Sequence, residues 1–395
     1  MSEKKKVFDQ SIYSHALYFD PINQQRMLTG NGWFHFDPFE NIPGVQPYSD
    51  GSFEVTYFAP GAKTVQIRGV GGSMPKTYDL SPDPDHEAYF KGTIRDVCPG
   101  FHYVEFLVDG VLAMHNQLPI GYGSSYAHNF IELPDPEFGY HELRKVPHGS
   151  VRMELYFSEV TGRWRNCWVY TPPKYDEEPE KRYPVWYLQH GGGENETGWI
   201  WQGKLNYIMD NMLAEGLCEE MIVVMNCGYN FQPVEGERFI LEKPAEVFAK
   251  DCVPFIDGKF RTIADRDHRA ISGLSFGSYH AKTTALDHPE LFSALGVFSG
   301  DASPYSSKES SPIFLGAFDY RELYGDIEKL NRTLHLFYIG YGKDENEYLV
   351  SLMQPIADGL IAKGANVKVN SFPGYHEWNV WRRCAVDMAK LLFKW

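Results

Sequence analysis

A serine set between two glycines, in Gly273-Leu274-Ser275-Phe276-Gly277, is the first place in this chain where residue type and spacing suit covalent chemistry. The G-x-S-x-G pattern carries meaning where a strand runs into a helix through a cramped turn, because that turn lifts the hydroxyl clear of the backbone and aims a helix N-terminus at it. Arg269-Ala270-Ile271 reads as a buried strand end and residues 279–286 as the helix, so Ser275 is a nucleophile candidate. A serine hydroxyl needs a base within hydrogen-bond reach, and histidine is the usual one. Among fourteen histidines, His376 in Phe372-Pro373-Gly374-Tyr375-His376-Glu377-Trp378 occupies the slot between the last strand and the last helix, as the chain order serine, acid, histidine requires. His268 and His288 read as capping or surface residues. The acid has two candidates: the strand at 334–339 runs into Gly340-Tyr341-Gly342-Lys343-Asp344-Glu345-Asn346-Glu347, where Asp344 and Glu345 are both in range. A carboxylate there would orient the histidine and stabilise its charged form. A fourth piece is His190-Gly191-Gly192-Gly193, directly after an apolar strand. It matches loops whose backbone N–H groups stabilise an oxyanion, with Gly191 and Gly192 as donors, and glycine lets the backbone itself approach the substrate.

Bringing these residues together requires a mostly parallel sheet covered by helices on both faces. Strands are expected at 167–170, 185–189, 221–225, 270–272, 294–298, 334–339 and 367–371, with helices at 205–214, 245–257, 279–286, 348–363 and 380–393. Residues 150–395 therefore read as one α/β domain. Ahead of it, short alternating segments at 53–58, 64–68, 89–94, 102–108 and 129–133 are broken by turn residues, with Asp109-Gly110 as a hairpin turn. That pattern predicts a small β-sandwich over 46–135. Pro136 and Pro147 mark a linker over 136–149, and residues 1–45 form an aromatic arm with no clear period.

Composition removes several classes of function. A net charge of −15 gives neither nucleic acid nor an anionic membrane surface a basic face to bind. No stretch reaches the ~18 apolar residues of a membrane span. The N-terminal Met1-Ser2-Glu3-Lys4-Lys5-Lys6 is followed by no apolar signal segment, so a cytoplasmic location is expected for the chain as given, or secretion if a signal peptide was trimmed. Six cysteines without a C-x-x-C or clustering with histidine predict reduced, buried thiols and neither a metal site nor an organic cofactor.

These stretches resemble the feruloyl and acetyl-xylan esterases of carbohydrate esterase family 1, which are related to esterase D and to the mycolyltransferases. The resemblance is carried by Y-P-V-W-Y-L-Q-H-G-G-G-E-N-E-T-G-W from Tyr183, M-I-V-V-M-N from Met221, A-I-S-G-L-S-F-G from Ala270, H-P-E-L-F-S-A-L-G-V-F-S-G from His288 and G-Y-H-E-W-N-V-W from Gly374. It implies an α/β-hydrolase fold, Ser275 as nucleophile, His376 as base, and oxyanion donors from the Phe276 N–H and the Gly191 to Gly193 loop. Members of this family often carry an immunoglobulin-like module similar to glycogen-binding modules, and residues 46–135 resemble one, although they contain no tryptophan. Two departures stand out. Relatives usually have Met-Gly-Gly after the nucleophile, where this chain has Phe276-Gly277-Ser278. Many place an Asp where this chain has Glu345, with Asp344 one step early. Asp344 is preferred on its shorter arm; Glu345 stays open because the mycolyltransferase branch uses Glu.

The expected activity is carboxylic ester hydrolysis through an acyl-enzyme. Trp199, Trp201, Phe276, Tyr279, Trp378 and Trp381 flank the motifs. An aromatic lining, with Trp199, Tyr279 and Trp378 as substrate contacts, suits a planar hydroxycinnamoyl group. The expected partner is a feruloylated oligosaccharide, a small aryl ester or a polysaccharide. A segment over 301–322, with Tyr305, Phe314, Phe318 and Tyr320, is expected to line or cover the pocket. A siderophore esterase and an acetyl-xylan esterase are the alternative enzyme readings, and a carbohydrate-binding protein with an inactive hydrolase domain is the alternative outside enzymes.

Overall fold

The computed structural model describes residue 5 and residues 43–229, 231–234, 237–241, 244–307 and 317–395, with backbone only over 231–241. The arm predicted over 1–45 lies almost wholly outside these residues, as does Phe314. The chain divides into two compact units after Leu143.

The first unit is all β. Its strands are β1 (Val45–Pro47), β2 (Phe53–Phe58), β3 (Val65–Gly69), β4 (Thr77–Pro82), β5 (Tyr89–Ile94), β6 (Gly100–Val108), β7 (Val111–Ala113), β8 (Ile120–Gly123) and β9 (Tyr126–Leu133). Every pairing is antiparallel, in the order β1-β2-β5-β4-β3-β6-β9-β8 with β7 on β6. Strand β4 pairs with both β3 and β5 and so links the two groups of strands, which share one core that includes Phe53, Val55, Ile67, Phe106 and Ile131. The predicted hairpin turn is present: Val108 faces Val111, and Asp109 and Gly110 have φ of 49° and 80°. Two positive φ values in a two-residue loop match the right-handed twist of the flanking strands. Phe138 and His141, inside the predicted linker, are buried and stacked.

The second unit is built on an eight-stranded sheet. After β10 (Ser150–Ser158) and β11 (Arg163–Thr171) come β12 (Val185–Gln189), β13 (Ile222–Asn226), the small hairpin β14 (Phe231–Val234) and β15 (Glu237–Leu241), β16 (Arg269–Leu274) and β17 (Ala294–Phe298). Two short strands, β18 (Tyr305–Ser306) and β19 (Phe318–Asp319), precede β20 (Leu336–Gly342) and β21 (Val367–Phe372). The main order is β10-β11-β13-β12-β16-β17-β20-β21, with β11 antiparallel to its neighbours and the strands from β13 to β21 parallel. Every residue of β12, β13, β16, β17 and β20 is buried, as expected where helices cover both faces of a parallel sheet. Helices α1 (Leu205–Ala214), α2 (Phe276–Asp287), α3 (Gln354–Ala362) and α4 (Trp378–Ala389) supply most of that cover. The chain goes from β12 out to β13 and then returns to β16 on the other side of β12, which makes a topological switch point. In open α/β sheets ligands bind at the carboxyl ends of strands at such a point. Among the described residues no helix is long and apolar enough to cross a membrane.

Candidate active site

The ladder registers align the candidate residues along the carboxyl edge of the sheet. Gln189 pairs with Gly273, Leu274 with Phe298, Phe298 with Gly340, and Gly342 with Phe372. The residues that leave each strand there are His190, Ser275, Ser299 and the two turns holding Glu345 and His376. Ser275 takes φ 49° and ψ −119° at the start of α2. A non-glycine residue in this region is strained, and such strain concentrates at functional sites. The neighbouring glycines serve packing: a Cβ on Gly273 would meet the Gly277 carbonyl at 2.2 Å, and one on Gly277 the His190 carbonyl at 2.3 Å. From Arg269 to Leu286 only Ser275 and Phe276 are partly exposed. The turn is held by Ser275 N–H donating to the Phe298 carbonyl at 2.8 Å, and by the Ser278 hydroxyl donating to the Ser275 carbonyl at 2.6 Å.

His376 Nδ1 stands 3.4 Å from Glu345 Oε2. The Glu345 carboxylate is buried, and its other oxygen accepts from Gly342 N–H at 3.0 Å and from the Ser299 hydroxyl. Asp344 is exposed and accepts from Gly374 N–H at 2.9 Å. The sequence preference for Asp344 is therefore corrected to Glu345. Adjacent residues in this turn face opposite ways, and the longer arm spans the distance to the imidazole. Ser299, with φ 47°, is a second strained serine one strand over from Ser275. Sequence reasoning missed it, and the available signal was a polar residue directly after a fully apolar strand.

The glycine loop lies against the serine: a Cβ on Gly191 would sit 3.4 Å from the Ser275 Cβ, and one on Gly192 would sit 3.6 Å from the Phe276 Cβ. Gly191 N–H donates to the buried Glu194 carboxylate at 3.0 Å. That commitment corrects Gly191 as an oxyanion donor, while Gly192 and Phe276, the first residue of α2, lie against one another beside the serine. His190 is structural. Its Nε2 accepts from Gly228 N–H at 2.9 Å, so the proton sits on Nδ1, 2.9 Å from the Gly191 carbonyl, and burial lowers its pKa.

A cleft of about 480 Å³ opens beside Ser275, lined by Phe276, Tyr279, Tyr305, Tyr348 and Leu352 among others. Tyr279 falls where a substrate contact was expected. Trp199 and Trp378 do not line this cleft: both are buried and pack edge to face at 5.1 Å, and the Trp199 indole N–H donates to the Gln189 carbonyl at 3.0 Å. As large aromatics they form an inner wall. Trp381 continues that wall and meets the His376 ring at 5.1 Å, so the cluster positions the histidine. Of the residues expected from the 301–322 segment, Tyr305 lines the cleft, whereas Phe318 and Tyr320 line a separate hollow beside Asp287 and His288. Among the described residues there is no group of three or more His, Cys, Asp or Glu side chains arranged to hold a metal.

Residues 158–391 match the family model described as "Putative esterase". The chain belongs to that family, and its resemblance to carbohydrate esterase family 1 is borne out. An endo-1,4-beta-xylanase/feruloyl esterase of Xylanibacter ruminicola is 32% identical over 376 residues, 90% of this chain and 46% of that protein. The chain thus spans about half the length of this curated relative. A CE1 ferulic acid esterase from Anaeromyces mucronatus superimposes with a TM-score of 0.54 at 20% identity, over 66% of this chain and 96% of that one. The enterobactin esterase of Shigella flexneri gives 0.60 at 14% identity, over 88% of this chain and 96% of that one. Both likenesses establish the α/β-hydrolase fold.

Proposed function

We propose that this protein is a serine carboxylester hydrolase that releases ferulic or a related hydroxycinnamic acid from feruloylated arabinoxylan or its oligosaccharides. The observation that carries the reading is Ser275, strained and partly exposed at the start of α2, together with a His376–Glu345 pair presented from the same edge of the sheet. His376 takes the Ser275 proton as the hydroxyl attacks the ester carbonyl. The N–H groups of Phe276 and Gly192 receive the charge that develops on the carbonyl oxygen, and the buried Glu345 carboxylate holds the imidazolium. The proton then passes from His376 to the leaving sugar oxygen. Water, deprotonated by the same histidine, splits the acyl-enzyme and frees the acid.

The substrate class draws support from the aromatic cleft beside Ser275 and from the relative named as a xylanase/feruloyl esterase. Methyl ferulate is expected to be cleaved with a higher kcat/KM than acetylated xylan or 4-nitrophenyl acetate. A fluorophosphonate probe should label wild type stoichiometrically and Ser275→Ala not at all, and Ser275→Ala should lose about three orders of magnitude or more in kcat. Unlabelled wild type would refute the hydrolase reading, and preference for the acetyl esters would refute the aromatic acid. A siderophore esterase is the second reading, favoured by the fold likeness to the enterobactin esterase over 88% of this chain. Faster cleavage of ferric enterobactin than of methyl ferulate would establish it.

A further inference from the structure

The carboxyl edge of the sheet holds a second, smaller pocket of about 190 Å³. It lies where β11 and β13 part: their ladder ends at Cys167 opposite Asn226, and Cys227 N–H still reaches the Asn166 carbonyl at 3.3 Å. The Arg165 guanidinium crosses this opening to the carbonyls of Tyr229, at 3.3 Å, and Cys227.

Three residues lining the pocket carry buried polar atoms with no protein partner among the described residues: Thr161 Oγ1, Arg165 Nε and Asn166 Oδ1. Thr161 and Arg165 are only 6% and 7% exposed. Buried donors and acceptors are nearly always paired in folded proteins, so three orphans around one cavity mark a place where a polar molecule completes the set. The set is mixed, since a guanidinium only donates, an amide oxygen only accepts and a hydroxyl does both. Glu196 lines the same cavity and offsets part of the positive charge of Arg163 and Arg165. Trp164 also lines it, 72% exposed and held edge-on to Phe157 at 5.7 Å, and offers a flat apolar face. A neutral sugar ring has hydroxyls that donate and accept at its edge and a C–H face that packs on an indole. Sites for drug-sized ligands begin near ~300 Å³, so this volume suits one ring.

The pocket is tied to the catalytic edge through Tyr229, which lines it. The Tyr229 ring packs on His190 at 5.2 Å, and its hydroxyl meets the Gly193 and Glu194 N–H groups. Strand β13 is two strand spacings from β16, about 10 Å. We propose that this pocket is a saccharide subsite that binds one neutral sugar unit of the chain carrying the ester. The identity of that saccharide as xylan-derived rests on the hydrolase reading above.

Calorimetric titration of the full chain with xylotriose tests it. Wild type is expected to bind saturably, and Trp164→Ala, a change at an exposed position, to bind about tenfold more weakly. Thr161→Val, which removes one orphan hydroxyl at nearly constant volume, is expected to weaken binding as well. No binding by wild type, or equal affinity in wild type and Trp164→Ala, would overturn the proposal, and so would binding of sodium acetate in place of xylotriose. Methyl ferulate carries no sugar and reports the hydrolase reading separately. If it is left uncleaved while xylotriose binds, that reading fails and the subsite stands; if it is cleaved while xylotriose does not bind, the reverse holds.

Discussion

In the all-β unit the side chain of Asn129 accepts from His115 N–H at 2.7 Å and donates to the carbonyls of His115 and Leu118 at 3.0 and 3.2 Å. The His115 ring beside it donates through Nε2 to the Thr56 carbonyl at 2.7 Å and accepts at Nδ1 from Gln117 N–H at 3.1 Å. In the α/β unit, by contrast, both ring nitrogens of the buried His280 lack a protein partner among the described residues, as do Thr161 Oγ1, Arg165 Nε and Asn166 Oδ1. The same unit holds Ser275 and Ser299 at φ of 49° and 47°. A network such as that of Asn129 and His115, whose buried polar groups satisfy one another, favours a single packed state. The non-glycine positive φ values of the all-β unit, at Ala88, Asp96, Asp109, Ser124 and Ser125, fall in turns and bends, whereas Ser275 and Ser299 hold theirs at the edge where a substrate is expected.

The sharpest way to test this contrast is at the strained edge. Glu345→Gln is expected to lower kcat on methyl ferulate by on the order of a hundredfold or more, because a neutral amide cannot stabilise the imidazolium. Asp344→Asn should stay within about twofold, as its carboxylate bonds only a surface turn. A larger loss in the Asp344 variant would reverse the assignment. In the all-β unit the corresponding change should act on stability alone. Asn129→Ala leaves His115 N–H and two carbonyls unsatisfied, which costs about 2–3 kcal/mol in urea unfolding, while kcat should match wild type. A stability unchanged from wild type would mean that water replaces the amide and that the network is not closed.

The smallest effect separates the two buried histidines by pH. Burial lowers the pKa of His115 to about 4 and that of His280 to about 3. Both values lie below the ~6.5 of an unfolded histidine. As pH falls below 6.5 the unfolded chain takes up a proton that each folded site refuses, so stability declines towards pH 4 and is unaffected above 6.5. Thermal melts of His115→Gln and His280→Gln between pH 7 and 4.5 should each show a shallower decline than wild type. Parallel curves for a variant and wild type would mean that the site takes up its proton while folded.

Much of the sheet was legible because fully buried strands are short apolar runs, and 185–189 and 294–298 appear with the expected bounds. Two long helices were not continuous. The one expected over 245–257 contains a π-helical turn at Phe248–Cys252 just before Pro254, and the one expected over 348–363 breaks between Glu347–Ser351 and α3, which begins with Gln354-Pro355. Proline lacks the N–H that would carry the i→i−4 pattern through. Strand β10 escaped notice although its sequence alternates, because Met153, Leu155 and Phe157 put the apolar side of the alternation in solvent.

The catalytic candidates themselves were set by the sequence, because a serine between close-packed glycines at a strand end and a histidine after the last strand depend on local spacing and chain order. The tertiary structure decided what spacing cannot reach. Asp344 and Glu345 differ by one position, and only the turn between β20 and α3, anchored by Gly342 N–H and Ser299, determines which carboxylate is buried against His376. Trp199 and Trp378 have the composition of a binding surface, yet their distant partners fold them into an inner wall. Burial and direction depend on contacts between residues far apart in sequence, and no local pattern encodes them.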